Sequence, residues 1–188
     1  TGYSIQEALS ELIDNAIDAR LPNKKLLVII DATPDMITLS DTGSGMSEEQ
    51  AAKSIRLGFS EKKGQLGEFG LGLKTSTSFL GKNFTLITTP RGSDEEYVLE
   101  WDEDHWLEHG DWYKYPFIIN REVDPNKSGT TVIIKKLKIE FSEKLLKNIQ
   151  DEFGLRFGPF IQNGELKLVF NKIVCPPFVP RIIDDKRN

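Results

Sequence analysis

A single cysteine, Cys175, is all the thiol chemistry this sequence carries. No internal disulfide can form, and the setting expected is reducing and cytoplasmic. Histidine is nearly as scarce: His105 and His109 stand four apart, with no cysteine or third histidine to complete a zinc set. No apolar run approaches the roughly 20 residues of a membrane span, and no signal-peptide pattern opens the chain. Nor does positive charge predominate. Lysine and arginine number 24 against 29 acidic residues, so the net charge of −5 gives no general electrostatic case for nucleic-acid binding. Repeats and low-complexity tracts are missing too. The first residue is Thr1 rather than methionine and the segment 184–188 is charged, so a single domain, 1–188, excised from a longer chain is expected.

What is present suits a globular domain. Hydrophobic residues make up 38% of the 188 and charged residues 28%, enough for one sizeable core. Ser4-Ile5-Gln6-Glu7 is a capping box, and Ile5, Ala8, Leu9, Leu12, Ile13, Ala16 and Ile17 then follow the stripe of an amphipathic helix. The run 26–30 predicts a buried strand, Thr33-Pro34-Asp35 a turn, and 36–40 the returning strand. A second capping box, Ser47 to Gln50, opens a short helix to about Leu57, ahead of a glycine-rich loop over 58–72. A helix over 71–80, strands near 83–89, 96–101, 113–120 and 129–138, a helix over 142–153 and a strand pair near 165–175 complete the reading. The fold expected is α+β, with helices on one face of a mixed sheet.

Four segments carry candidate chemistry. On the first helix, Glu11, Asn15 and Asp18 are spaced i, i+4, i+7 and share a face, with Asp14 beside them. One amide oxygen is enough for a magnesium ion that keeps phosphates and waters as its other ligands, and Glu11 can polarise a water. Taken alone, the same face reads better as a solvated polar surface. The second segment, Asp41-Thr42-Gly43-Ser44-Gly45-Met46, follows a strand; an aspartate there can accept from an adenine amino group, with glycines letting the base approach. The third, Gly67-Glu68-Phe69-Gly70-Leu71-Gly72-Leu73-Lys74, brings three glycines to a helix start, where backbone N–H groups favour phosphate. It lacks the Gly-Lys-Ser/Thr ending of a Walker A loop and the preceding strand of a dinucleotide fingerprint. The fourth is Ser128-Gly129-Thr130-Thr131-Val132-Ile133-Ile134, a glycine entering a strand, where Thr130 can bond the base or a water beside Asp41.

In this order and spacing the segments resemble the GHKL ATPases: gyrase B subunits, ninety-kilodalton heat-shock chaperones, sensor histidine kinases and MutL. The resemblance implies a Bergerat-type two-layer α/β sandwich on a largely antiparallel sheet, with ATP and Mg2+ as cofactors and a lid over about 47–66. It implies Asn15 as magnesium ligand, and Asp41, with Gly43, Gly45, Met46 and Thr130, around adenine. It sets Asp18 in the helical box, and Gly70, Leu71, Gly72 and Lys74 facing the phosphates. Kinases usually have asparagine where this chain has Glu11, so the resemblance implies Glu11 as general base, with hydrolysis to ADP and phosphate rather than phosphotransfer. A kinase-type domain and a non-catalytic nucleotide-binding module are the alternatives. Gly58-Phe59-Ser60-Glu61-Lys62, with 67–76 and 129–134, is similar to MORC ATPases and their prokaryotic relatives, which makes Lys62 a lid cation and the location nuclear for a eukaryotic relative. The likeness implies a homodimer formed on ATP and slow turnover by this domain, since such ATPases take a further lysine from a following domain. DNA contact through the full-length protein stays open in the lysine run Lys135, Lys136, Lys138, Lys144 and Lys147, beside the reading of a solvated face. The cluster Trp101, Trp106, Trp112, Tyr113 and Tyr115 is read as cross-strand packing.

Overall fold

The computed structural model describes residues 2–56, 71–109 and 118–178. Among them the chain order is α1 (Ile5–Asp18), β1 (Leu26–Ala32), β2 (Met36–Asp41), α2 (Glu48–Arg56), α3 (Leu71–Leu80), β3 (Gly81–Thr89), β4 (Glu95–Asp102) and α4 (Glu103–His109). There follow β5 (Ile118–Arg121), β6 (Gly129–Leu137), α5 (Glu143–Arg156), α6 (Gly158–Gln162), β7 (Leu166–Phe170) and β8 (Ile173–Val174). The strands form one mixed sheet in the order β5-β4-β3-β6-β2-β1-β7-β8. Every neighbouring pair is antiparallel except β1 with β7. This is the α+β architecture expected.

Alternation along the strands decides which face is covered. Val28 and Ile30, Ile37 and Leu39, Phe84 and Leu86, Val132 and Ile134, and Leu166 and Leu168 are buried in one core with Leu9, Leu12, Ile13 and Ala16 of α1 and Ile149 and Phe153 of α5. The intervening residues lie on the other face. The apolar run of β1 is therefore not buried throughout: Ile29 is 37% exposed. The run reads as a fully buried strand in one dimension because β-branched residues suit both faces of a pleated sheet.

The helix ends follow the caps. Ser4 accepts from the Glu7 N–H while Glu7 accepts from the Ser4 N–H, completing the box. Ser142 caps α5 by accepting from Leu145. Two helices escaped the sequence reading. α4 starts where Asp102 accepts from the N–H groups of Asp104 and His105, and α6 is a five-residue turn with Pro159 in its first turn. Of the strand expected over 113–120, only 118–120 fall among the described residues, inside β5. No helix among the described residues is long and apolar enough to cross a membrane.

Candidate functional site

α1 presents Glu11 half-buried and Asn15 and Asp18 exposed. Between them the helix buries its opposite side, so the polar face is what remains after packing. At one end of that face α1 packs on α3. There Glu11 Oε2 accepts from Ser76 Oγ at 2.7 Å and from the Tyr3 hydroxyl at 2.7 Å. At the other end the turn after β2 rests on the C-terminus of α1: the Ser44 N–H donates to the Ala19 carbonyl at 2.7 Å. Eight residues of helix separate Glu11 from Ala19, about 12 Å of rise. Asp14 is turned aside into an ion pair with Arg156 of α5.

Asp41 ends β2 with its carboxylate held by backbone. Oδ1 accepts from Gly43 N–H at 2.8 Å and Thr130 N–H at 3.3 Å. The turn that follows is gripped from three sides. Ser128 Oγ donates to the Gly43 carbonyl at 2.7 Å, and the Met46 N–H donates to Thr88 Oγ1 at 2.8 Å. Thr88 Oγ1 lies 3.0 Å from Thr130 Oγ1. Gly45 has φ +66°, and a Cβ there would run into the Thr89 carbonyl. Thus Asp41, Gly43, Gly45, Met46 and Thr130 come together around one turn, with Asn15 and Asp18 on the helix beneath it. Burial pushes the Asp41 carboxyl up to about 6, against the lowering effect of its two backbone donors.

Leu71 and Gly72 are the first residues of α3. Lys74, a turn further on, is only 4% exposed; its ammonium sits 5.4 Å from the centre of the Trp101 ring, and burial lowers it to about 8. Lys62 and Gly70 lie outside the described residues, as does the part of the expected lid beyond Arg56. Tyr3, Ser76 and Thr88 were not singled out from sequence, and Ser128 was read only as the first residue of the fourth segment. None has a diagnostic spacing; each enters through a contact between elements distant in the chain.

The features set aside behave as packing. Trp101 stacks on Phe84 at 5.5 Å, across β3 and β4, while Trp112, Tyr113 and Tyr115 lie outside the described residues. Within the lysine run, Lys136 pairs with Asp102 and Asp104, and Lys138 with Glu103, so part of that charge is spent on α4 and its approach. An open cleft of about 540 Å³ lies past the end of α1, lined by residues 20–25 and 163–165, and shares no residue with the site above.

Residues 3–130 match the family described as histidine kinase-, DNA gyrase B-, and HSP90-like ATPase. Protein MICRORCHIDIA 3 of Arabidopsis thaliana is 36% identical over 171 residues, covering 85% of this chain and 27% of its own length. ATPase MORC2 of Homo sapiens is 31% identical over 197 residues, covering 81% of this chain and 18% of its own. The chain thus spans about a quarter or less of these relatives. The ATPase region of Saccharomyces cerevisiae topoisomerase II shares the fold, with a TM-score of 0.61 at 18% identity over 90% of this chain and 48% of that one. The chain belongs to the histidine kinase-, DNA gyrase B- and HSP90-like ATPases, and within them it is of the MORC type.

Proposed function

We propose that this chain binds ATP with Mg2+ along the polar face of α1 and hydrolyses it slowly to ADP and phosphate, the nucleotide state driving dimerisation. The observation that carries the reading is the continuity of that face, from Glu11 against Ser76, midway along α3, to the Asp41 turn on the end of α1. Asp41 keeps one carboxylate oxygen on backbone donors, and its second oxygen accepts from the adenine amino group. Gly43, Gly45, Met46 and Thr130 shape the base site. The N-terminal turn of α3, with Gly70, Leu71 and Gly72, meets the phosphates through backbone N–H groups and the helix dipole. Lys74 and Lys62 add positive charge there; Lys74 has to turn away from Trp101 to do so. Asp18 continues the polar face of α1 toward the base site.

The donor set fits magnesium. Asn15 is exposed and its side-chain amide is bonded to no described residue, so its oxygen is available as a single protein ligand. A cation held by one amide and otherwise by phosphates and waters is the usual arrangement for Mg2+ beside a nucleotide. When bound, it neutralises phosphate charge. Glu11 takes a proton from the attacking water, and the phosphate–ADP bond breaks with its electron pair leaving on ADP.

Two measurements test this reading. Particle mass by light scattering is expected to double with an MgATP analogue that cannot be hydrolysed and to revert on its removal; an unchanged monomer would refute the dimer switch. ATP affinity is expected to fall as pH drops through about 6, because Asp41 then carries a proton and becomes a weaker acceptor. Asp41→Asn, whose amide can set a donor against the adenine amino group, should bind about tenfold more weakly or worse. It should lose that pH dependence, retaining only the nucleotide's own titration. The folding linkage has its own sign. The native state holds this proton more tightly than the unfolded chain, so stability without nucleotide declines as pH rises from the ordinary 3.8 to about 6.

A further inference from the structure

Two hydroxyls and one carboxylate oxygen form a closed triangle at the α1–α3 contact. Tyr3 and Ser76 each lie 2.7 Å from Glu11 Oε2, and 3.0 Å from one another. Each hydroxyl has one proton to give, so the carboxylate is the natural acceptor for both, through the stronger, charge-assisted kind of hydrogen bond. Nothing about the triangle is loose. Ser76 is fully buried, and the Tyr3 ring meets Phe79 edge-on at 4.9 Å. Ser76 and Phe79 are i, i+3 on α3, so one face of that helix holds both ends of the tyrosine. Among the described residues, Glu11 Oε1 accepts no hydrogen bond.

A general base needs one oxygen to receive a proton and a fixed orientation for it. We infer that Tyr3 and Ser76 are positioning residues for hydrolysis, which clamp Oε2 of Glu11 so that Oε1 takes the proton of the attacking water. The inference rests on Glu11 being the base. In the step, the water oxygen bonds to the terminal phosphorus while its proton passes to Oε1, and the bond to ADP breaks with its electron pair going to ADP. The proton then returns to solvent. Because Ser76 is carried by α3, whose first turn faces the phosphates in the proposed site, the aim of the base is tied to the helix that receives the nucleotide.

The test uses the full chain, with kcat for MgATP hydrolysis, Kd for MgATP and the pH–rate profile measured on Tyr3→Phe, Tyr3→Leu, Ser76→Ala and Glu11→Ala. A hydrogen bond to a charged group is worth about 1.5–3 kcal/mol, so Tyr3→Phe and Ser76→Ala are each expected to lower kcat about 10- to 100-fold with Kd unchanged. Tyr3→Phe keeps the ring on Phe79 and loses only the hydroxyl, so it should be as slow as Tyr3→Leu, and its pH–rate profile should move away from that of the unsubstituted chain. If Tyr3→Phe hydrolyses as fast as the unsubstituted chain, or faster, while Glu11→Ala is inactive, the positioning role fails and the Glu11 reading stands. If Tyr3→Leu alone is slow, the tyrosine serves packing and the inference is overturned. If Glu11→Ala hydrolyses normally, the underlying reading itself is wrong.

Discussion

Glu11→Ala is expected to bind ATP as tightly as the unsubstituted chain and to hydrolyse it about 100- to 10,000-fold more slowly, the range over which a positioned general base acts. The separation of the two effects follows from where Glu11 sits. It is half-buried at the α1–α3 contact, bonded to Tyr3 and Ser76, and makes no hydrogen bond to the Asp41 turn. Truncating it removes the proposed proton acceptor and leaves the proposed base site and the start of α3 in place. The variant should also accumulate as the nucleotide-bound dimer, since the step that would release it is blocked. Single-turnover hydrolysis and size measurement in MgATP check both statements. Loss of ATP binding alongside hydrolysis would mean that Glu11 holds the helices together and does not act on water.

Gly129→Ala should be among the most damaging small substitutions at the described glycines, with Gly45→Ala beside it. Gly129 has φ +143°, which an L side chain rarely adopts, and a Cβ there would run into the carbonyl of Asp41. Strain and overpacking of this kind together cost about 3 kcal/mol. In a domain of this size that lowers the melting temperature by roughly 6–12 °C. The functional loss should exceed the loss of stability, because pushing β6 from β2 withdraws the Thr130 N–H from Asp41, the proposed adenine acceptor. Gly92→Ala is the control. Gly92 also has positive φ, +76°, but nothing lies within 4 Å of a Cβ there. Its cost should be about 1 kcal/mol with ATP affinity intact. Equal melting temperatures for the two variants would show that close approach is not the reason for glycine at 129.

Much of this molecule was legible in one dimension because its strongest signals are local. The Ser4 and Ser142 caps, the stripe of α1 and the alternation of β2, β3 and β6 each depend on neighbours within a turn or a strand. The glycines of the 41–46 turn were legible for the same reason. What stayed hidden depends on contacts across the fold. α4 has no buried face to give it a stripe, and its start is fixed by Asp102 at the end of a strand. Tyr3 and Ser76 are 73 residues apart, and only the packing of α1 on α3 brings them to one carboxylate. The resemblance implies Lys74 as a phosphate-facing cation, yet it sits over Trp101, 27 residues further along the chain, a neighbour that sequence spacing does not announce.

The junction of α3 and β3 has a mechanical consequence. Leu80 ends the helix and Gly81 begins the strand with no residue between them, and a Cβ on Gly81 would lie 2.6 Å from the Lys135 carbonyl, so the corner is pressed flat onto β6. About 23 Å along the same strand, Thr88 holds the Met46 N–H. Helix and strand therefore meet at a corner with no connecting loop. In the proposed site one arm of that corner reaches the phosphates and the other, through Thr88, the adenine turn, so a tilt of α3 has no loop at this junction to take it up.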